Sequence, residues 1–113
     1  MTNRNKQRGY ELEKETVDFW KSKGVEAKRV FASGQYKHLG PEFEGDLMLA
    51  GYTVECKRKK TGFKFLYDSL AQDDSDMLVV REDRNHRIYI MTEETVLALF
   101  NQIGLVNQEG SLK

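Results

Sequence analysis

The stretch EGDLMLAGYTVECKRKK, Glu44 to Lys60, decides how this chain is read. Apolar and polar residues alternate from Tyr52 to Lys57, the period of two that marks a half-buried strand. Successive strand side chains point to opposite faces, so Glu55 and Lys57 share one face while Val54 and Cys56 take the other. Ala50-Gly51 supplies the two-residue turn of a hairpin, with Gly51 at positive φ. That turn sets Leu49 opposite Tyr52 and Asp46 opposite Glu55. Two carboxylates are therefore expected side by side, with Cβ atoms roughly 5 Å apart.

Like charges directly across a ladder destabilise a sheet, and a divalent cation removes the conflict. Asp46, Glu55 and the backbone carbonyl of Cys56 offer the hard oxygen ligands that Mg²⁺ or Mn²⁺ prefers, with positions left for water and a phosphate oxygen. Lys57, on the Glu55 face, places a positive charge beside such a metal, where it can hold the attacking water or stabilise charge on the transition state. The competing reading is a solvated strand face carrying an incidental Asp, Glu and Lys, a common triplet in a chain with 32% charged residues.

A length of 113 residues predicts one domain, residues 1–113, small enough to benefit from oligomerisation. With 39% hydrophobic residues, no apolar run near a membrane span and no signal-peptide core in MTNRNKQRG, the expectation is a soluble cytoplasmic protein without membrane partners. The single cysteine excludes an intramolecular disulfide and a Cys-cluster zinc site, and Cys56 reads as a small core residue. The net charge of zero gives no overall attraction to nucleic acid, but its distribution is uneven. Arg4, Lys6 and Arg8 open the chain, and Lys57, Arg58, Lys59, Lys60 and Lys64 cluster past the hairpin. A basic surface beside a carboxylate site suits a phosphodiester substrate; charge runs are also commonly plain solvated faces.

Helical periodicity runs from Gln7 to Lys23, with Gly24 as C-cap. Leu12, Thr16, Val17, Phe19 and Trp20 gather on one side, centred near Thr16. Glu13 falls on the flank of that stripe, and Glu11 and Glu15 lie away from it. A carboxylate turned toward a core needs a partner, a cation or its waters, which singles out Glu13; the plain alternative is a boundary residue bending out to solvent. Val25 to Phe31 reads as a strand carrying Arg29, followed by a loop, Ala32 to Phe43, with Ser33, Gln35, Tyr36, Lys37 and His38 as candidates for substrate contact. Beyond the hairpin, the pattern predicts a helix over Phe63 to Gln72, strands over Asp76 to Arg81 and Arg87 to Met91, and a helix from Glu93 to Ile103 capped by Thr92. Gly104 ends that helix, and the tail after it is expected to be loosely held. The element order predicts an α/β (α+β) domain with a central mixed sheet of five strands flanked by helices.

Taken together, Glu13 on a first helix, Asp46, and Glu55-Cys56-Lys57 on a hairpin resemble the PD-(D/E)XK nucleases, whose core is that of the restriction endonucleases. Within that superfamily the chain looks most like the archaeal-type Holliday junction resolvases, which also occur in phages. The resemblance rests on RGYELEKE at 8–15, on Arg29 followed by Ser33-Gly34, on GDLML at 45–49 and on VECK at 54–57, and it covers the first half of the chain. It implies that Asp46 and Glu55 bind Mg²⁺ or Mn²⁺ and that Lys57 acts on the water or transition state. It further implies that Glu13 completes the acidic site, through a metal-bound water, while Arg29 and Ser33 engage the scissile phosphate. Arg8, Lys14 and Lys37, with Arg58, Lys59 and Lys60, extend the DNA-binding surface in this reading. Three departures stand out: Gly45 where the family name has proline, Lys14 where the resolvases carry arginine, and a tighter hairpin turn.

The resemblance implies a metal-dependent endodeoxyribonuclease that cuts branched DNA as a homodimer. Two symmetric nicks in a four-way junction require two copies of a domain with one site. The alternatives are a PD-(D/E)XK nuclease of restriction or repair type, and a DNA-structure-binding protein that does not cut.

Overall fold

The computed structural model describes residues 2–30 and 46–106, with side chains from residue 9 onward. The chain divides into two compact units, residues 1–58 with 105–113, and residues 59–104. No helix among the described residues is long and apolar enough to cross a membrane.

The first unit opens with α1, Thr2–Ser22, which begins five residues before the Gln7 start that periodicity predicts. Val17 and Trp20 are its buried residues, and Leu12, Thr16 and Phe19 flank them half-buried. Glu13, Val17 and Trp20 follow the i, i+4, i+7 spacing of one helix face, so Glu13 sits on the midline of the packed stripe rather than on its flank. The helix ends in a Schellman motif: the Val25 N–H donates to the Trp20 C=O and the Gly24 N–H to the Lys21 C=O, both at 3.0 Å. Gly24 takes the left-handed conformation (φ 81°) that this ending requires. Val25 and Trp20, the apolar pair of such a motif, are both buried.

Three short antiparallel strands follow, β1 (Ala27–Arg29), β2 (Leu47–Leu49) and β3 (Tyr52–Val54), with β2 in the middle. Leu49 pairs with Tyr52 as the turn predicts, and the ladder ends at Leu47 and Val54, so the expected cross-strand pair of Asp46 and Glu55 is not part of it; on the other side Leu49 pairs with Ala27 and Leu47 with Arg29. Directly paired residues share a face, so Ala27, Arg29, Leu47, Leu49 and Val54 project to one side. The core of the unit comprises Val17, Trp20, Val25, Ala27, Val30, Leu47, Leu49 and Val106, with Leu47 fully enclosed. Burying a leucine of this kind contributes about 1.5–3 kcal/mol. The side chain of Val106 is buried, and residues 107–113, the rest of the tail expected to be loosely held, lie outside the described residues.

The second unit contains α2 (Lys64–Ala71), a single 3-10 turn at Gln72–Asp74, β4 (Met77–Val80), β5 (Ile88–Met91) and α3 (Glu93–Gln102). The Thr92 hydroxyl oxygen accepts the Thr95 N–H, which confirms it as the N-cap of α3. Glu93 and Glu94 in the first turn oppose the positive end of the helix dipole. β4 and β5 pair antiparallel, Met77 with Met91 through Val80 with Ile88.

The α+β class holds, but among the described residues the expected five-stranded mixed sheet does not form: they make one antiparallel sheet of three strands and another of two. Alternation identifies a strand without naming its partner. β3 stops at Val54, and residues 55–59, which include Lys57, Arg58 and Lys59, stay outside any ladder.

Candidate functional site

The hairpin places Asp46 immediately before β2, and the backbone holds it from both sides. Its C=O accepts the Val30 N–H at 3.0 Å, and its own N–H donates to the Val54 C=O at 2.8 Å. The carboxylate is pinned as well, since Oδ2 accepts the Cys56 N–H at 2.7 Å in a half-buried setting. The Asp46 side chain thereby reaches the strand extension that carries Glu55 and Lys57. The backbone N–H of Cys56 is thus the group that ties Asp46 to this segment.

Glu55 and Lys57 flank Cys56 and are both exposed, while Cys56 is half-buried. The Cys56 thiol is pushed up to about 11, first by burial and then by the negative charges of Asp46, Glu13 and Glu55.

Glu13 has a partner that the sequence reading did not assign. The Nε and Nη2 of Arg29 both approach Glu13 Oε1, each at 2.9 Å. The Glu13 side chain is 15% exposed and that of Arg29 33%. Arg29 reaches it because the register turns Arg29 to the same side of the sheet as Ala27 and Leu47. The guanidinium also lies over the Tyr10 ring, 4.5 Å from its centroid. Tyr10 precedes Glu13 by three residues, the spacing of neighbours on one helix face. That spacing was visible in the sequence, but nothing there pointed from Tyr10 to Arg29.

The basic residues divide by what they touch. Arg58 Nη1 bonds Glu11 Oε1 at 2.6 Å, so Glu11 does not simply project into solvent. Lys14 pairs with Asp18 at 2.8 Å along α1, and that carboxylate raises the Lys14 pKa. Lys57, Lys59 and Lys60 are exposed, with the Lys59 ammonium 5.3 Å from the centroid of the Phe63 ring. Ser33 and Lys37 lie outside the described residues, as does the side chain of Arg8.

Among the described residues no three His, Cys, Asp or Glu side chains assemble into a metal-holding cluster. The donor chemistry nevertheless suits Mg²⁺, which is commonly held by one or two carboxylates and keeps several waters. Asp46 spends one of the several lone-pair positions of its carboxylate on Cys56, and Glu55 is exposed. Glu13 is engaged by Arg29 through one carboxylate oxygen. Comparison with family models, with curated proteins and with solved structures gave no match for this chain.

Proposed function

We propose that the protein is a metal-dependent endodeoxyribonuclease of PD-(D/E)XK type that hydrolyses phosphodiester bonds in branched DNA, acting in the cytoplasm as a homodimeric Holliday junction resolvase. The observation that carries this reading is the 2.7 Å bond from the Cys56 N–H to Asp46, which fastens the first carboxylate to the segment bearing Glu55 and Lys57. A Mg²⁺ held by Asp46 and Glu55 would supply the Lewis acid and the activated water. Lys57 then stabilises the charge that builds on the phosphate oxygens as water adds to phosphorus and the P–O bond breaks. Arg29 binds the phosphate from the helix side, oriented by Glu13. Lys59 and Lys60 meet the neighbouring phosphates, and Arg58 joins them when it leaves Glu11.

A second reading, a protein that binds branched DNA without cutting it, is favoured by one observation: Glu13 is already committed to Arg29. Incubating the protein with labelled four-way junction, Y-structure, linear duplex and single strand in Mg²⁺ separates the readings. Paired symmetric nicks in the junction alone support the resolvase. Cleavage of linear duplex points instead to a restriction or repair nuclease, and binding without nicks to the second reading.

A further inference from the structure

Tyr10 is one of the exposed large hydrophobic residues, 47% accessible, so packing does not account for its place on α1. What it touches is Arg29, whose guanidinium stands 4.5 Å from the ring centroid. The same guanidinium gives its Nε and Nη2 to one oxygen of Glu13. The cation is thus fixed by two contacts of different kind, a carboxylate at its edge and an aromatic ring beside its carbon. Either contact alone leaves a motion open: an ion pair to a single oxygen allows the planar group to swing about that oxygen, and a ring over its carbon leaves its direction free. Together they restrict both motions. The Nη1 edge is the one not turned to Glu13, and a planar guanidinium with such an edge suits two oxygens of a phosphodiester.

We propose that Tyr10 is a positioning residue for Arg29, holding the guanidinium so that its Nη1 edge is ready for a DNA phosphate. This inference rests on the nuclease reading for its substrate, but the Tyr10–Arg29 relationship itself can be measured without DNA. The hydroxyl has no part in it, so phenylalanine should serve at position 10 and leucine should not. Lysine at position 29 should lose the effect, because a compact ammonium has no plane for the ring to orient.

The test uses Tyr10→Phe, Tyr10→Leu, Arg29→Lys and the double variant Tyr10→Leu/Arg29→Lys in the full-length protein, with thermal melting to verify folding. The first readout is the Arg29 Nε–H resonance in the free protein, and the second is affinity for a four-way DNA junction without Mg²⁺. We expect Tyr10→Leu to abolish the ring-current shift of the Nε–H and to weaken junction binding about two- to fivefold. Tyr10→Phe should preserve both, and Tyr10→Leu should cost nothing further once Arg29 is lysine. An Nε–H resonance indifferent to Tyr10→Leu, or an equal loss of affinity in both backgrounds, would overturn the proposal. Absence of any cleavage with the Nε–H coupling intact would overturn the nuclease reading and still support the pairing of Tyr10 with Arg29.

Discussion

Glu13 receives the Nε and the Nη2 of Arg29 on a single carboxylate oxygen, each at 2.9 Å, across the join between α1 and β1. The pair connects an acidic group on the packed face of the helix to the strand that feeds the candidate site. Glu13→Gln should therefore slow cleavage about ten- to a hundredfold, the range for groups that act through the residues they orient. Glu13→Ala should also destabilise the fold by about 1–3 kcal/mol, because it strips a half-buried guanidinium of its acceptor. Glu15→Gln, at an exposed position, should change neither. A single-turnover assay beside urea unfolding checks both effects, and full activity in Glu13→Gln would remove Glu13 from the site.

The contact between Glu11 and Arg58 makes a different prediction for the neighbouring carboxylate. Both side chains are about half exposed, so the pair adds no more than about 1 kcal/mol to stability. Its consequence lies in binding: Glu11→Gln releases Arg58 for phosphate. Junction affinity should rise, and the slope of log K against log salt should steepen by about 0.9 for the one added contact. An unchanged slope would place Arg58 off the DNA surface.

The hairpin turn carries strain that can be relieved. Ala50 and Gly51 have φ of 51° and 86°, so both central residues of the turn sit at positive φ, the requirement of a type I′ turn. An alanine held there costs about 1 kcal/mol. Ala50→Gly or Ala50→Asn should raise the unfolding free energy by up to that amount, read as a higher urea midpoint with the m-value unchanged. A fall in the midpoint would mean that this turn does not govern the hairpin.

Cys56 sets a pH dependence. Its thiol is raised from 9.0 to about 11 in the folded chain, so the folded state holds the proton longer than the unfolded one. The stability linked to this group is fully present below pH about 9 and is lost as pH climbs from 9 through 11. Alkylation by iodoacetamide should be slow at pH 8 and accelerate toward pH 11. Asp46→Asn should move the rise to lower pH, though only in part, because burial is the larger cause. An ordinary thiol profile in the wild type would show that the Cys56 thiol is not held away from solvent.

The hairpin was legible because its signals are local: alternation fixes the faces and a two-residue turn fixes the register, and Leu47 does pair with Val54. The phase of α1 was legible from its apolar stripe, although the midline runs through Glu13, since the packing of Val17 and Trp20 outweighs the peripheral Leu12 and Phe19. Sheet membership was not legible, because alternation marks β4 and β5 as strands but leaves no periodic trace of whether they pair only with each other, as they do, or join β1 to β3 in one sheet. The partners of Glu13 and Glu11 were hidden for the same reason, since Arg29 and Arg58 are charged residues in a chain full of charge and only the folded register selects them.

In the proposed nuclease Asp46 and Glu55 together hold the metal, and the most direct measurement is cleavage of a labelled four-way junction in Mg²⁺ by Asp46→Asn and Glu55→Gln beside the wild type, with junction binding measured on the same samples. The expected result is paired nicks by the wild type, no nicks by either variant, and junction binding as tight as the wild type or tighter, because each substitution removes a negative charge facing phosphate. Substantial cleavage by either variant would contradict it.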